Sequence, residues 1–325
     1  MLSTFHTLLL KNKRNLSIIL VFVCLLYIAM ILFAEPEKIL SAFSKMGLFS
    51  WLLILGISFS NYLLRFIRWH YYLRYLEHQI PLILHFLYYM AGFALTLTPA
   101  KVGETIRSAY LAQHAVAYTQ SLAVFFTERF LDVVVIALLS LFVLQFEKTT
   151  HNYHYFIIVS AVVVVSFIPL LRQTFVTQYF NSVAVKTPWK TIRVLLQHLT
   201  RLLTTARNLF AYKPAYTGLL LGSIAWLIQG LAFYFILTTL GVEITLQQSV
   251  GIYAISLLAG AASFIPGGVG TTEAVMTLLL TLLGADMATA VAAALISRLS
   301  TLWFAVALGF GAALVLSFEK KLKLE

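Results

Sequence analysis

An all-α, polytopic bundle of transmembrane helices is the fold this sequence predicts, and three observations carry the prediction. Of 325 residues, 61% are hydrophobic and only 11% charged, with a mean hydropathy of +0.90; a soluble domain of that size cannot bury so much apolar surface. Several separate runs, rather than one, approach the roughly 20 residues needed to cross about 30 Å of hydrocarbon. Two further apolar segments are broken midway by the same pattern, Pro99-Ala100-Lys101-Val102-Gly103 and Pro266-Gly267-Gly268-Val269-Gly270. The chain, 1–325, reads as a single membrane domain.

In chain order, about six full spans are expected, at 16–33, 48–66, 121–144, 155–171, 217–240 and 288–317. Lys11, Lys13 and Arg14 ahead of the first run resemble the basic start of a signal peptide. That run is too long for a cleaved core and no small-residue cleavage site follows it, so it reads as a retained anchor. The lone cysteine, Cys24, lies within it and excludes a disulfide framework or a cysteine metal site within one chain. The segments 83–112 and 249–283 read as two re-entrant helical hairpins. Proline removes a backbone donor and glycine supplies reversal dihedrals, and in hydrocarbon the freed backbone groups need protein or a watery cavity around them.

Lysine and arginine asymmetry sets the orientation. With the N-terminus inside, the cytoplasmic face collects Lys11, Lys13, Arg14, Arg65, Arg68, Arg74, Arg107 and the basic residues of 172–213 and 320–323; Lys38, Lys45 and Lys148 fall outside. Both termini are then cytoplasmic, in a cell inner membrane. The first hairpin enters from the cytoplasm and the second from the opposite side. Span, hairpin, span therefore occurs twice with inverted topology: repeat 1 at about 48–146, a basic cytoplasmic loop at about 172–216, and repeat 2 at about 217–317. Such inverted repeats place a binding site where two interrupted segments meet.

The formal charge of +11 does not point to nucleic acid, because the basic residues flank membrane segments and form no soluble basic domain. Within the loop, residues 189–210 put Ile192, Leu195, Leu196, Leu199, Leu202, Leu203, Leu209 and Phe210 on one helical stripe, with Lys190, Arg193, Arg201 and Arg207 mostly off it. Two readings stand open: a helix lying on anionic lipid, or one packed on the protein's own cytoplasmic face.

Eight ionisable residues sit in the hairpins and adjoining spans: Lys101, Glu104, Arg107, Glu128, Arg129, Asp132, Glu273 and Arg298. Each costs roughly 2.5–3.5 kcal/mol at a bilayer centre on insertion scales, so mutual pairing is expected. Glu104 and Arg107 are three apart and share a helical face. Glu128 and Asp132 share a face of the third span and want a cation between them, from Arg107 or Lys101, while Arg129 points elsewhere. Glu273 follows the second tip, where a helix N-terminus favours an anion, and Arg298 can face it. Structural salt bridges fixing the hairpins are the plainer reading of any one of these residues; as a set they suggest a binding site. The Gly-rich tip from Pro266 to Thr272 leaves backbone amides that can cradle a phosphate or carboxylate, although it matches neither a Walker loop nor a dinucleotide fingerprint. His151 and His154 lack further ligands, so no metal site and no cofactor is expected. No nucleophile-elbow or zinc-protease motif occurs.

The runs Thr98-Pro99-Ala100-Lys101-Val102-Gly103-Glu104-Thr105-Ile106-Arg107, Glu128-Arg129-Phe130-Leu131-Asp132 and Ile265 through Glu273, with Arg298, resemble the flippase-like family: the transmembrane region of lysylphosphatidylglycerol synthases and its stand-alone relatives. The resemblance covers nearly the whole chain. It maps a Gly-Glu-x-x-Arg pattern onto Gly103, Glu104 and Arg107, a Glu-Arg-x-x-Asp pattern onto Glu128, Arg129 and Asp132, and a Pro-Gly-Gly-x-Gly-x-x-Glu pattern onto Pro266, Gly267, Gly268, Gly270 and Glu273. It implies a lipid-handling protein, in some members one that moves aminoacylated phosphatidylglycerol between leaflets. This chain ends at Glu325, just after the last span, so the synthase activity is not carried over with the resemblance. Ala100 stands where the second tip has Gly267, which suggests unequal roles for the two hairpins.

The leading expectation is a transporter moving a phosphate-bearing lipid, whether an anionic or aminoacylated phospholipid or a polyprenyl-linked carrier, with these charges and tip residues as its binding and translocation site and no catalytic residue. A membrane-embedded transferase acting on such a lipid is the alternative. A separate soluble synthase as partner, and oligomerisation, stay open.

Overall fold

The computed structural model describes residues 25–28, 32, 35–145, isolated positions between 155 and 166, 172–187 and 189–322. The expected spans at 16–33 and 155–171 lie largely outside the described residues, as do Cys24, His151 and His154.

Among the described residues every regular element is a helix. A short helix α1 (Pro36–Lys45) precedes α2 (Leu48–Tyr75). The first broken segment follows: α3 (Leu82–Gly92), a 3₁₀ turn at Phe93–Leu95, a second 3₁₀ stretch at Pro99–Ile106, and α4 (Arg107–Leu111). Then come α5 (Tyr118–Ser140), α6 (Thr174–Lys186), α7 (Lys190–Leu209) and α8 (Tyr212–Thr239). The second broken segment is α9 (Leu246–Ala262), a turn at Pro266–Gly268, and α10 (Thr271–Leu282). Helix α11 (Met287–Arg298) runs through a π-helical stretch, Leu299–Trp303, into α12 (Phe304–Leu322).

Among the described residues three helices are long and apolar enough to cross a membrane: Leu48–Tyr75, Tyr212–Thr239 and the continuous run Met287–Phe318. At 1.5 Å per residue the 28-residue α2 extends about 42 Å, past the end expected at residue 66. The apolar run stops there because arginines interrupt it, but the helix continues with Arg65, Arg68, Trp69 and Tyr72 buried. Helix α5, at 23 residues, has spanning length but carries Glu128, Arg129 and Asp132 in consecutive turns. The arms of the broken segments are shorter. Helices α3 and α10 measure about 17 and 18 Å, little over half a hydrocarbon core.

Both breaks form as the sequence dictates, but differently. The second tip places Gly267, Gly268 and Gly270 at φ +66°, +64° and +86°, a region that side chains with a Cβ rarely enter. The first tip bends through 3₁₀ turns instead, and its one left-handed residue is Lys101, at φ +56°.

Packing couples the two halves. Helix α2 lies along α8, held by Asn61 Nδ2 donating to the Ala225 carbonyl at 2.6 Å and Gln229 Nε2 to Ser58 Oγ at 3.3 Å. Helix α12, from the second half, packs on α3 of the first broken segment; α5, from the first half, packs on α9 of the second. The two tips touch each other, and Leu97, Val269, Leu302 and Val306 form a small buried apolar cluster joining them to α12.

Helix α7 divides the two readings offered for its stripe. Leu202, Ala206, Leu209 and Phe210 pack into the core under α5, whereas Trp189, Ile192, Val194 and Leu195 at the other end stay exposed.

Candidate functional site

The charged residues of the broken segments and of α5 converge, and two arginines from α2 join them. Asn61, Arg65, Arg68 and Tyr72 follow one another at helical spacing, so α2 presents them on one face, and all four are buried. Arg68 Nη2 donates to Asp132 Oδ1 at 2.7 Å and to Glu128 Oε1 at 3.1 Å. The cation between the two acids is therefore Arg68, and not Arg107 or Lys101. Arg129 also corrects the expectation: its Nη2 sits 3.2 Å from Glu128 Oε1 and 3.3 Å from Asp132 Oδ2, because its long side chain folds back along α5 to the acids. Neighbours in sequence on a helix diverge at Cβ, but a guanidinium can reach around the turn.

Glu104 and Arg107 pair at 3.1 Å. Thr96 Oγ1 donates to the other Glu104 oxygen at 2.8 Å, and Arg107 Nε donates to the Tyr89 carbonyl at 3.0 Å. The Arg107 guanidinium lies 3.9 Å from the Tyr89 ring centre and 5.1 Å from that of Phe93, within cation–π range. Its reach to Glu128 is long, 3.9 Å. Tyr89 Oη and Trp226 Nε1 complete the acids' shell, donating to Glu128 at 3.0 Å and to Asp132 at 3.1 Å. Gly222 of α8 leaves room for this network, since a Cβ there would fall 2.7 Å from Arg68 Nη1.

At the second tip Arg298 Nε donates to Glu273 Oε1 at 3.0 Å, and Arg298 Nη2 also holds the Gly267 carbonyl. Tyr27 Oη donates to the same Glu273 oxygen at 2.8 Å. The other Glu273 oxygen accepts from the Gly270 amide at 2.7 Å, while the Gly268 and Val269 amides donate to Ile265 and Pro266 carbonyls. The expected open nest is thus filled from within: Glu273, three residues into α10, caps its own helix start.

A cavity of about 60 Å³ lies where the two halves meet. Arg65, Lys101 and Glu104 line it from the first half and Arg298 from the second, with Asn61, Gln229 and Thr301 among its polar walls. Of the residues expected to form a site, Glu104, Lys101 and Arg298 border this cavity; Arg107 and Glu273 stand behind as partners of Glu104 and Arg298; Glu128, Arg129 and Asp132 form a network with Arg65 and Arg68; Gly103, Pro266, Gly267, Gly268 and Gly270 shape the turns. In the sequence an arginine after an apolar run reads as the membrane margin, which sets Arg65 and Arg68 with the cytoplasmic loops. Their helical spacing with Asn61 and Tyr72 is the signal that places them inside.

Comparisons with known proteins identify the family. A family model described as the lysylphosphatidylglycerol synthase TM region matches residues 16–309. A UPF0104 membrane protein of Pyrococcus horikoshii is 26% identical over 240 residues, covering 67% of this chain and 72% of that protein. Two UPF0104 membrane proteins of Methanothermobacter thermautotrophicus are 24% and 28% identical over 116 residues. Those matches cover 36% and 34% of this chain and only about a third of each relative, 33% and 35%. With its buried charges, its paired tip motifs and a match over most of its length, this chain belongs to the family of integral membrane proteins defined by the lysylphosphatidylglycerol synthase transmembrane region.

Proposed function

We propose that the chain is a lipid flippase of the inner membrane, both termini cytoplasmic, that carries a phosphate-bearing lipid, aminoacylated or not, between leaflets. The observation that carries this reading is the cavity at the junction of the two broken segments, bordered by cations from both halves. The proposed inverted repeat gives the motion. Units of α2, first broken segment and α5, and of α8, second broken segment and α11–α12, would be related by a two-fold axis in the membrane plane. The reciprocal packing supports it, since the last helix of each unit packs on the first arm of the other's hairpin. With each arm short of a full crossing, the tips would lie at membrane depth, shielded by protein. Rocking one unit against the other would open the cavity to either leaflet in turn.

The rival transferase reading needs a carboxylate free to take a proton from a substrate. Glu104, Glu128, Asp132 and Glu273 are each committed to an arginine, which disfavours it. The test is a leaflet-sidedness assay with labelled phospholipid in vesicles carrying the purified chain. Arg129→Gln and Glu273→Gln are expected to slow translocation by roughly 10–100-fold, the worth of one charge-assisted contact. Wild-type rates in both variants would remove the site, and a lipid of altered mass after incubation with a donor would favour the transferase.

A further inference from the structure

Building on the transport reading, we infer that the cavity takes a doubly charged phosphate monoester headgroup, held between Arg65 and Lys101. The charge arithmetic of the described residues leads there. Each of the four buried carboxylates has its own arginine: Asp132 with Arg68 at 2.7 Å, Glu104 with Arg107 at 3.1 Å, Glu128 with Arg129 at 3.2 Å and Glu273 with Arg298 at 3.0 Å. Two cations stand beyond this one-to-one count. Arg65 is 5% exposed and reaches Glu128 and Asp132 only in ion pairs of 3.9 and 3.8 Å, longer than the four above. Lys101 is partly buried and forms no ion pair within 4 Å among the described residues. Both line the cavity.

A surplus of two positive charges around a poorly solvated cavity is costly, so the complementary ligand is one that supplies two negative charges. A phosphodiester such as phosphatidylglycerol brings one, and an aminoacylated headgroup adds a cation to an already positive site. A phosphate monoester approaches two at neutral pH and offers three acceptor oxygens. The backbone gives an independent pointer. Lys101 occupies the tip position that corresponds to Gly268, and both are left-handed, at φ +56° and +64°. Glycine is the unstrained choice there; a lysine held in that conformation implies that its ammonium is what the position is kept for.

The experiment measures binding to the purified full chain in nanodiscs by native mass spectrometry, with four probes: short-chain phosphatidic acid, short-chain polyprenyl monophosphate, short-chain phosphatidylglycerol and inorganic phosphate. Both monoester lipids are expected to bind roughly 10–100-fold more tightly than the diester, and to lose that advantage as pH falls below about 6, where the monoester's second charge is lost. Lys101→Gly, which relieves the backbone and so keeps the fold, is expected to abolish the preference, as is Arg65→Gln. Equal affinity for the diester would overturn the inference. So would a preference that survives Lys101→Gly, or inorganic phosphate binding as tightly as the lipids, which would assign the cavity to the free ion. Tight monoester binding without translocation in vesicles would refute transport and leave the headgroup standing. Translocation with no headgroup preference would do the reverse.

Discussion

Arg68 holds two carboxylates on one guanidinium, with no exposed atom, and that makes it the residue whose loss the fold should feel most. Breaking a buried pair from one side leaves an uncompensated charge and costs about 3–5 kcal/mol. Arg68→Met is therefore expected to lower the thermal unfolding midpoint in detergent, and Asp132→Asn in the same chain is expected to recover part of the loss because it removes one orphaned charge. A midpoint unchanged in Arg68→Met would mean that Arg65 and Arg129 suffice to hold both acids. The pairing of Glu104 with Arg107 was legible in the sequence from their three-residue spacing, whereas that of Arg129 with Asp132, at the same spacing, was missed. The pairing across 64 residues, Arg68 with Asp132, was not legible, since only tertiary packing of α2 on α5 creates it. Gly222 belongs to the same account: a methyl there would press on Arg68 Nη1.

At the scale of elements, the interruptions in the two broken segments were legible because proline and glycine act locally. Which amides stayed free was not, because Glu273 turns back on its own tip. The π-helical stretch at Leu299–Trp303 also has no sequence signature; it follows Arg298 directly, at the turn where that side chain leaves the helix for Glu273. The loop helices were half legible, since an amphipathic stripe does not say what covers it. The exposed end answers by composition. From Arg172 to Lys213 there are seven basic residues and no acid, and Phe175, Tyr179, Trp189, Ile192 and Leu195 are exposed beside them. An apolar face bordered by cations fits an anionic membrane surface. An environment-sensitive dye on Leu195→Cys, in a Cys24→Ser background, is expected to report an apolar setting in vesicles rich in anionic lipid and a wetter one in zwitterionic vesicles. A dye equally solvated in both would place α6 and the start of α7 away from the bilayer.

For the whole molecule, the proposed alternation of access rests on two tips that must part. In the structure they are in contact: Leu97 from the first segment and Val269 from the second share one buried cluster with Leu302 and Val306 of the last helix. That cluster is small and purely apolar, and its neighbours are the ion pairs that anchor each tip separately to its own half, Glu104 with Arg107 and Glu273 with Arg298. No salt bridge within 4 Å crosses from one tip to the other among the described residues. The tips themselves are thus joined by dispersion and burial, roughly 1.5–3 kcal/mol for each fully buried side chain, while beside the cavity the halves are also linked by hydrogen bonds from Asn61 to the Ala225 carbonyl and from Tyr62 to the Thr301 carbonyl; one bound headgroup's charge-assisted contacts can offset part of that cost. Motion between the halves then needs no ion pair broken within either one. The consequence is testable by covalent restraint. With Cys24→Ser as background, Leu97→Cys and Val269→Cys bridged by a short bifunctional thiol reagent are expected to stop lipid translocation while leaving headgroup binding measurable. Either single cysteine treated in the same way should keep transporting. Translocation at the unbridged rate in the linked protein would mean that the tips stay together throughout the cycle, and the lipid would need another path past them.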